Sequence, residues 1–143
     1  MINVAFQIIA STDDEARLVN DKIVEFNKTQ VPLTQNVEFI ALNFHVKNEQ
    51  GSLIAGINSL MYYWHVLHID SLFVSEKYRG KNIGRTLLNK VESEAKQMGA
   101  KLAHLDTFDW QAKDFYLKFG YEIFGILEDC PEGHERYYLK KHL

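Results

Sequence analysis

The chain has 143 residues, 46% hydrophobic and 24% charged, which is the make-up of one folded domain and not of a disordered segment or a coiled coil. Its formal net charge is -3, so there is no basic excess to neutralise a phosphate backbone, and a dedicated nucleic-acid partner is excluded. A single cysteine, Cys130, excludes an internal disulfide, and no apolar run approaches the ~20 residues that span a bilayer.

Met1–Ala10 lacks the charged flank and cleavage site of a secretion signal. Together these features predict a cytoplasmic protein with no membrane partner, folded as a single domain over residues 1–143. Asn3–Ala10 reads as a strand. Thr12-Asp13-Asp14-Glu15 has the form of a capping box, and Ala16, Val19, Ile23 and Phe26 follow at helical spacing, which predicts a helix over Asp13–Lys28 with one buried face. Glu38–Lys47 and Ser52–Met61 flank the turn signal Asn48-Glu49-Gln50-Gly51 and predict a hairpin; His65–Val74 adds a third strand. Ile83, Leu87, Leu88, Val91, Ala95 and Met98 share a helical face that Gly99 terminates. A strand at Leu102–Asp106, a helix at Ala112–Phe119 and strands at Tyr121–Leu127 and Arg136–Lys140 complete the chain. Strand–helix–strand units in the second half imply parallel pairing within a mixed sheet.

Leu67-His68-Ile69-Asp70-Ser71-Leu72-Phe73-Val74 starts with apolar residues at odd positions and loses that alternation from Leu72. A β-bulge breaks phase in this way, and so does a central strand buried on both faces. After the strand comes Arg79-Gly80-Lys81-Asn82-Ile83-Gly84-Arg85, which opens the amphipathic helix. A glycine-bearing basic loop at a helix N-terminus has the chemistry to hold phosphates, because the first-turn amides lack intrahelical partners and the dipole is positive there. It is neither a Walker loop nor a Rossmann fingerprint, and a solvated basic turn would have the same composition.

Tyr78-Arg79-Gly80-Lys81-Asn82-Ile83-Gly84-Arg85-Thr86-Leu87-Leu88 resembles the acetyl-CoA loop, R/Q-x-x-G-x-G/A, of the GNAT superfamily of N-acetyltransferases. Ala112-Lys113-Asp114-Phe115-Tyr116-Leu117-Lys118-Phe119-Gly120-Tyr121 is similar to a second segment of that superfamily, A-x-x-F-Y-x-K-x-G-Y/F. The stretch from Leu105 to His134 further resembles small bacterial members. The likeness covers nearly the whole chain and implies the fold: α/β, a mostly antiparallel central sheet with one splayed parallel strand pair, flanked by helices. Two positions depart from the pattern. Asn82 replaces the usual first glycine of the loop, though Asn is the side chain that best tolerates positive φ. Asp109 stands where many members have a cofactor-contacting Asn, so that contact is not carried over.

The resemblance implies acetyl-CoA as acyl donor, with its pyrophosphate on Arg79, Gly80, Lys81, Asn82, Ile83, Gly84 and Arg85. The pantetheine arm would lie on the main chain of Leu72, Phe73 and Val74, with an amide freed by the bulge near Leu72 or Phe73 facing the thioester oxygen. Tyr116 is implied as the general acid that protonates the departing thiolate. His68 and Asp70 are the candidates for handling the proton of the amine acceptor, since several members place a base at those positions and an imidazole changes charge near neutral pH; Asp106 is a third. The expected activity is transfer of acetyl to a primary amine of a small molecule, by direct attack in a ternary complex. A non-catalytic acyl-CoA-sensing domain and a protein or peptide N-acetyltransferase are the alternatives. Strand edges allow a homodimer. No metal site is expected, because His65 and His68 point to opposite faces of an extended run and no Cys/His cluster exists. Cys130 has no neighbouring histidine base in sequence and reads as a passive thiol. Tyr62-Tyr63-Trp64 and the first helix are assigned to the acceptor pocket, although those aromatics suit a packing or dimer contact equally.

Overall fold

A computed structural model describes residues 5–143 as two compact units, one ending at Leu33 and the other running Thr34–Leu143. The first contains helix α1 (Asp13–Gln30). Its start follows the sequence: Thr12 Oγ1 accepts the Glu15 N–H and the Glu15 carboxylate accepts the Thr12 N–H, both at 3.3 Å. Within this unit taken by itself, Val19, Ile23 and Phe26 of the apolar face are exposed. Helical periodicity determines which residues share a face and says nothing about what covers it. The strand predicted for Asn3–Ala10 is absent over residues 5–10, and its first two positions lie outside the described residues. An extended apolar segment becomes a strand only when its N–H and C=O groups find a ladder partner.

The second unit carries β1 (Phe39–Ala41), β2 (Phe44–Lys47), β3 (Leu53–Tyr62), β4 (Val66–Val74), a 3-10 turn (Glu76–Tyr78), α2 (Ile83–Gln97), β5 (Leu102–Phe108), α3 (Lys113–Lys118), β6 (Glu122–Glu128) and β7 (Glu135–His142). The sheet order is β1-β3-β4-β5-β7-β6, with β2 also on β3. The single strand predicted over Glu38–Lys47 is interrupted at Leu42–Asn43, where Asn43 Oδ1 takes the Ser59 N–H at 2.9 Å in place of a main-chain carbonyl. Asn48 closes the next turn by accepting the N–H groups of Gln50 and Ser52, each at 3.0 Å.

Every strand pair is antiparallel except β4–β5. Helix α2 supplies the crossover between these two parallel strands. Strands β5 and β6 also run the same way, but β7 inserts between them and bonds to both, so the second strand–helix–strand unit gives no parallel ladder. Leu87, Leu88, Val91 and Ala95 of α2 are buried in one core with Ala55, Ile57, Met61, Leu67, Ile69, Ala103, Leu105 and Leu139 of the sheet. Burying a Leu- or Met-sized side chain contributes about 1.5–3 kcal/mol. The core therefore fixes the level at which β4 and β5 are held together, and with it the level at which they part.

Candidate active site

Strand β4 slips register against β3 at one point: Asn58 faces Ser71 and Ser59 faces Ile69, leaving Asp70 as the extra residue. The predicted bulge exists, but at Asp70 rather than near Leu72 or Phe73, which remain in the ladder opposite Ile57 and Gly56. Any amide released by the bulge therefore belongs to the Asp70–Ser71 stretch. The same point ends pairing on the other side. Strands β4 and β5 are bonded only from Val66–Leu102 to Ile69–Leu105, and beyond it they diverge. Leu72, Phe73 and Val74 keep β3 on one edge and face an opening on the other.

The opening is a cleft of about 1090 Å3, walled by Ile69–Val74, Tyr78–Gly80, Asn82–Arg85, the end of β5, the loop Asp109–Ala112 and α3. All the predicted cofactor positions line it except Lys81, whose ammonium lies over the Tyr78 ring at 5.4 Å. Arg79 Nε donates to the Val74 carbonyl at 3.0 Å and ties the loop to the end of β4. Gly80 has φ +78°, and Asn82 takes the left-handed conformation, φ 63°, that its side chain tolerates. Asn82 stands at the N-cap of α2 without a side-chain capping bond, so no cap competes for the first-turn amides. At Gly84 a Cβ would meet the Phe115 ring at 3.5 Å and Val74 Cγ2 at 3.6 Å, which shows how closely this helix start approaches α3 and β4.

Tyr116 sits on α3 at 4% exposure, with its ring edge-on to Phe115 and Tyr121. Its hydroxyl has no hydrogen-bond partner among the described residues, yet no buried side-chain polar atom there is left unpaired; the oxygen therefore opens into the cleft that Tyr116 lines. Burial pushes the phenol well above its ordinary value of 10, so it stays protonated across the physiological range. The ring is braced from behind. Tyr121 donates to Glu92 at 2.7 Å, and Lys141 donates to the other oxygen of the same carboxylate at 2.8 Å.

The three proton-handling candidates have different surroundings. Asp70, on the bulge, is exposed, lines the cleft and has no partner among the described residues. Asp106 also lines it, but Arg136 holds its Oδ1 from both Nε and Nη2, at 2.9 and 2.5 Å. His68 is half-buried and stands outside the lining, its ring 4.8 Å from that of His104, directly across the parallel pair. His104 accepts or donates at 2.6 Å to the Tyr62 hydroxyl, and burial, reinforced by His68, lowers its pKa.

Tyr62-Tyr63-Trp64 is not a wall of this cleft: Tyr62 serves His104, and Trp64 borders a separate, smaller cavity with Thr34 and His65. The aromatic wall comes instead from residues that the motifs passed over. Trp110 stacks on Phe108 at 4.6 Å and 5°, and the Arg136 guanidinium lies 5.3 Å from that same phenyl ring. Asp109 accepts from His134 Nδ1 and the Glu135 N–H, both at 2.9 Å, while its own N–H donates to the Glu135 carbonyl. These bonds, the main-chain one foremost, hold its carboxyl below the usual range. Asp109 is thus committed to clasping the β6–β7 turn. The signal that could have found this wall was an isolated Trp beside an Asp in a loop directly after a cleft strand.

The model for the acetyltransferase (GNAT) family matches residues 15–121, and the chain belongs to that family. It is an N-acetyltransferase, and dependence on acetyl-CoA is implied by that membership. Blasticidin-S acetyltransferase of Streptomyces morookaense is 32% identical over 66% of this chain and 70% of its own length. A crystal structure of an acetyltransferase from Bacillus cereus ATCC 14579 superposes with a TM-score of 0.85 at 36% identity, covering 96% of this chain and 98% of that one. An aminoglycoside 6'-N-acetyltransferase solved with coenzyme A shares the fold at 19% identity and a TM-score of 0.62, over 95% and 97% of the two chains.

Proposed function

We propose that the protein transfers the acetyl group of acetyl-CoA to a primary amine of a small molecule by direct attack in a ternary complex. The thioester supplies the activated acyl group. The amides of Asn82, Ile83, Gly84 and Arg85, with Arg79, Gly80 and Lys81 beside them, hold the pyrophosphate, where the helix dipole and the cations complement its charge. The β5-facing main chain of Leu72, Phe73 and Val74 orients the pantetheine arm. An amide of the Asp70–Ser71 bulge donates to the thioester oxygen as negative charge gathers there, an effect typically worth about 10²–10³ in rate. The amine nitrogen bonds to the acyl carbon and the C–S bond breaks. Tyr116 gives its proton to the sulfur, and the proton lost by the amine passes through Asp70, with His68 behind it on the same strand, to solvent.

The observation that carries this reading is the Tyr116 hydroxyl: a residue buried to 96% whose one polar atom is unpaired and faces the cleft. A raised pKa suits that role because the phenol remains a proton donor across the physiological range. Release of CoA thiol from acetyl-CoA over a panel of small amines tests it. We expect Tyr116→Phe to lower kcat about a hundredfold with the KM for acetyl-CoA unchanged; equal turnover by the variant overturns the assignment. The family match crosses the boundary between the two units, which supports reading the whole chain as one catalytic domain. The lone Cys130 supports a cytoplasmic setting. Edge strand β6, with Ile123, Phe124, Ile126 and Leu127 exposed, supports a homodimer.

A further inference from the structure

We infer that the acceptor is an amine carrying a second, planar cationic group, a guanidinium or amidinium joined to the amine by a chain of about four to five atoms. This rests on the acetyl-transfer reading above and specifies what the other half of the same cleft receives.

Two features of the cleft bear on the acceptor. One is Trp110, which lines the cleft at 55% exposure, stacks on Phe108 and meets the His134 ring at a near-perpendicular 84°. The Arg136 guanidinium lies 5.3 Å from the centroid of the same Phe108 ring, so this aromatic pair already accepts one planar cation. An indole face attracts cations, and delocalised planar ones in particular, because they are weakly hydrated. The second feature is Asp70, the unpaired carboxylate at the level where β4 and β5 part. A negative charge placed there, in the cleft that Tyr116 also lines, positions an ammonium at the reacting end.

Trp110 follows Asp109 after the end of β5, whereas Arg79 and Arg85 belong to the loop that opens α2. The pyrophosphate site proposed on that loop leaves the indole for the acceptor. The strand gives the length. From Asp106, level with the parting point, to Phe108 beneath the indole is two residues of β5, about 7 Å. A fully extended four-carbon chain between a primary amine and a guanidinium spans that distance, which makes agmatine the natural probe.

The test compares agmatine, cadaverine and n-hexylamine as acceptors. Cadaverine keeps a second cation without planarity, and hexylamine has neither. We expect kcat/KM for agmatine to exceed both by about tenfold or more. Trp110→Leu should remove most of that advantage while Trp110→Phe retains it, with the KM for acetyl-CoA within twofold in each. Asp70→Asn should lower kcat/KM for all three amines. Equal use of hexylamine and agmatine overturns the inference, and so does a Trp110→Leu variant that loses affinity for acetyl-CoA and keeps the amine ranking. Calorimetric titration of agmatine and hexylamine into the complex with CoA separates this from failure of the catalytic reading. Tight, Trp110-dependent agmatine binding without turnover upholds the acceptor assignment and removes the chemistry. Absence of any preference for agmatine in binding removes the acceptor assignment even where amines are acetylated.

Discussion

The two halves of β4 are built from the same kinds of residue and do opposite work. Val66–Ile69 is bonded on both edges, to β3 and to β5, and Leu67 and Ile69 are sealed into the core beneath α2. Asp70–Val74 is bonded to β3 alone after the bulge, and Phe73 is more than half exposed. In the first half the side chains carry the value and the backbone is consumed by pairing. In the second the backbone keeps an edge unpaired with β5, the surface proposed above for the pantetheine arm. One inserted residue, Asp70, separates the two regimes.

Substitutions at matched positions sharpen this contrast. The largest effect is expected from Leu67→Ala, which should cost about 2–5 kcal/mol in urea denaturation while turnover per folded molecule stays within a few-fold. At the mouth of the opening, a β-branched residue cannot hold the left-handed turn that Asn82 adopts. Asn82→Ile should therefore weaken acetyl-CoA binding about tenfold by calorimetry, whereas Asn82→Gly should hold or improve it. Phe73→Ala is the counterpart of Leu67→Ala, and with its side chain exposed it should change stability by no more than about 0.5 kcal/mol. A loss comparable to that of Leu67→Ala would mean that the splayed half is held by its side chains after all.

The smallest effect concerns pH, at the closed end. His104 faces His68, Tyr62, Asp106 and, across β7, Lys140. Its lowered pKa means that the unfolded chain takes up the proton first, as pH falls below about 6.5. The stability gained by keeping the ring neutral is complete above that point and is lost as pH falls toward the folded value. His104→Gln should accordingly make the decline of Tm between about pH 7 and pH 5 shallower. An unaltered slope would remove His104 from the balance.

How much of this was legible in the sequence follows the same division. The loop Arg79–Arg85 was readable because positive φ restricts residue type, and Asn82 could be expected to take the left-handed turn before its conformation was known. The position of the bulge was not readable. Sliding the extra residue from Leu72 to Asp70 changes main-chain pairing and leaves no mark on composition. Trp110 escaped for another reason: a single aromatic in the loop Asp109-Trp110-Gln111-Ala112 has no periodicity, and motif reading had no place for it. The N-terminal segment failed in the reverse sense. Its composition is strand-like, but a strand is a property of two segments, and the sequence names only one.

The clasp between Asp109 and the Glu135 main chain, reinforced by His134, has an evolutionary consequence. It fastens one rim of the opening to the β6–β7 turn, whereas Arg79 ties the loop before α2 to the end of β4. Under the proposed function, substitutions around the clasp would alter the choice of acceptor before they alter binding of the acyl donor. A lineage of such proteins would be expected to diversify there first, with the short run from Phe108 to Gln111 and the hairpin residue His134 drifting together as a linked pair.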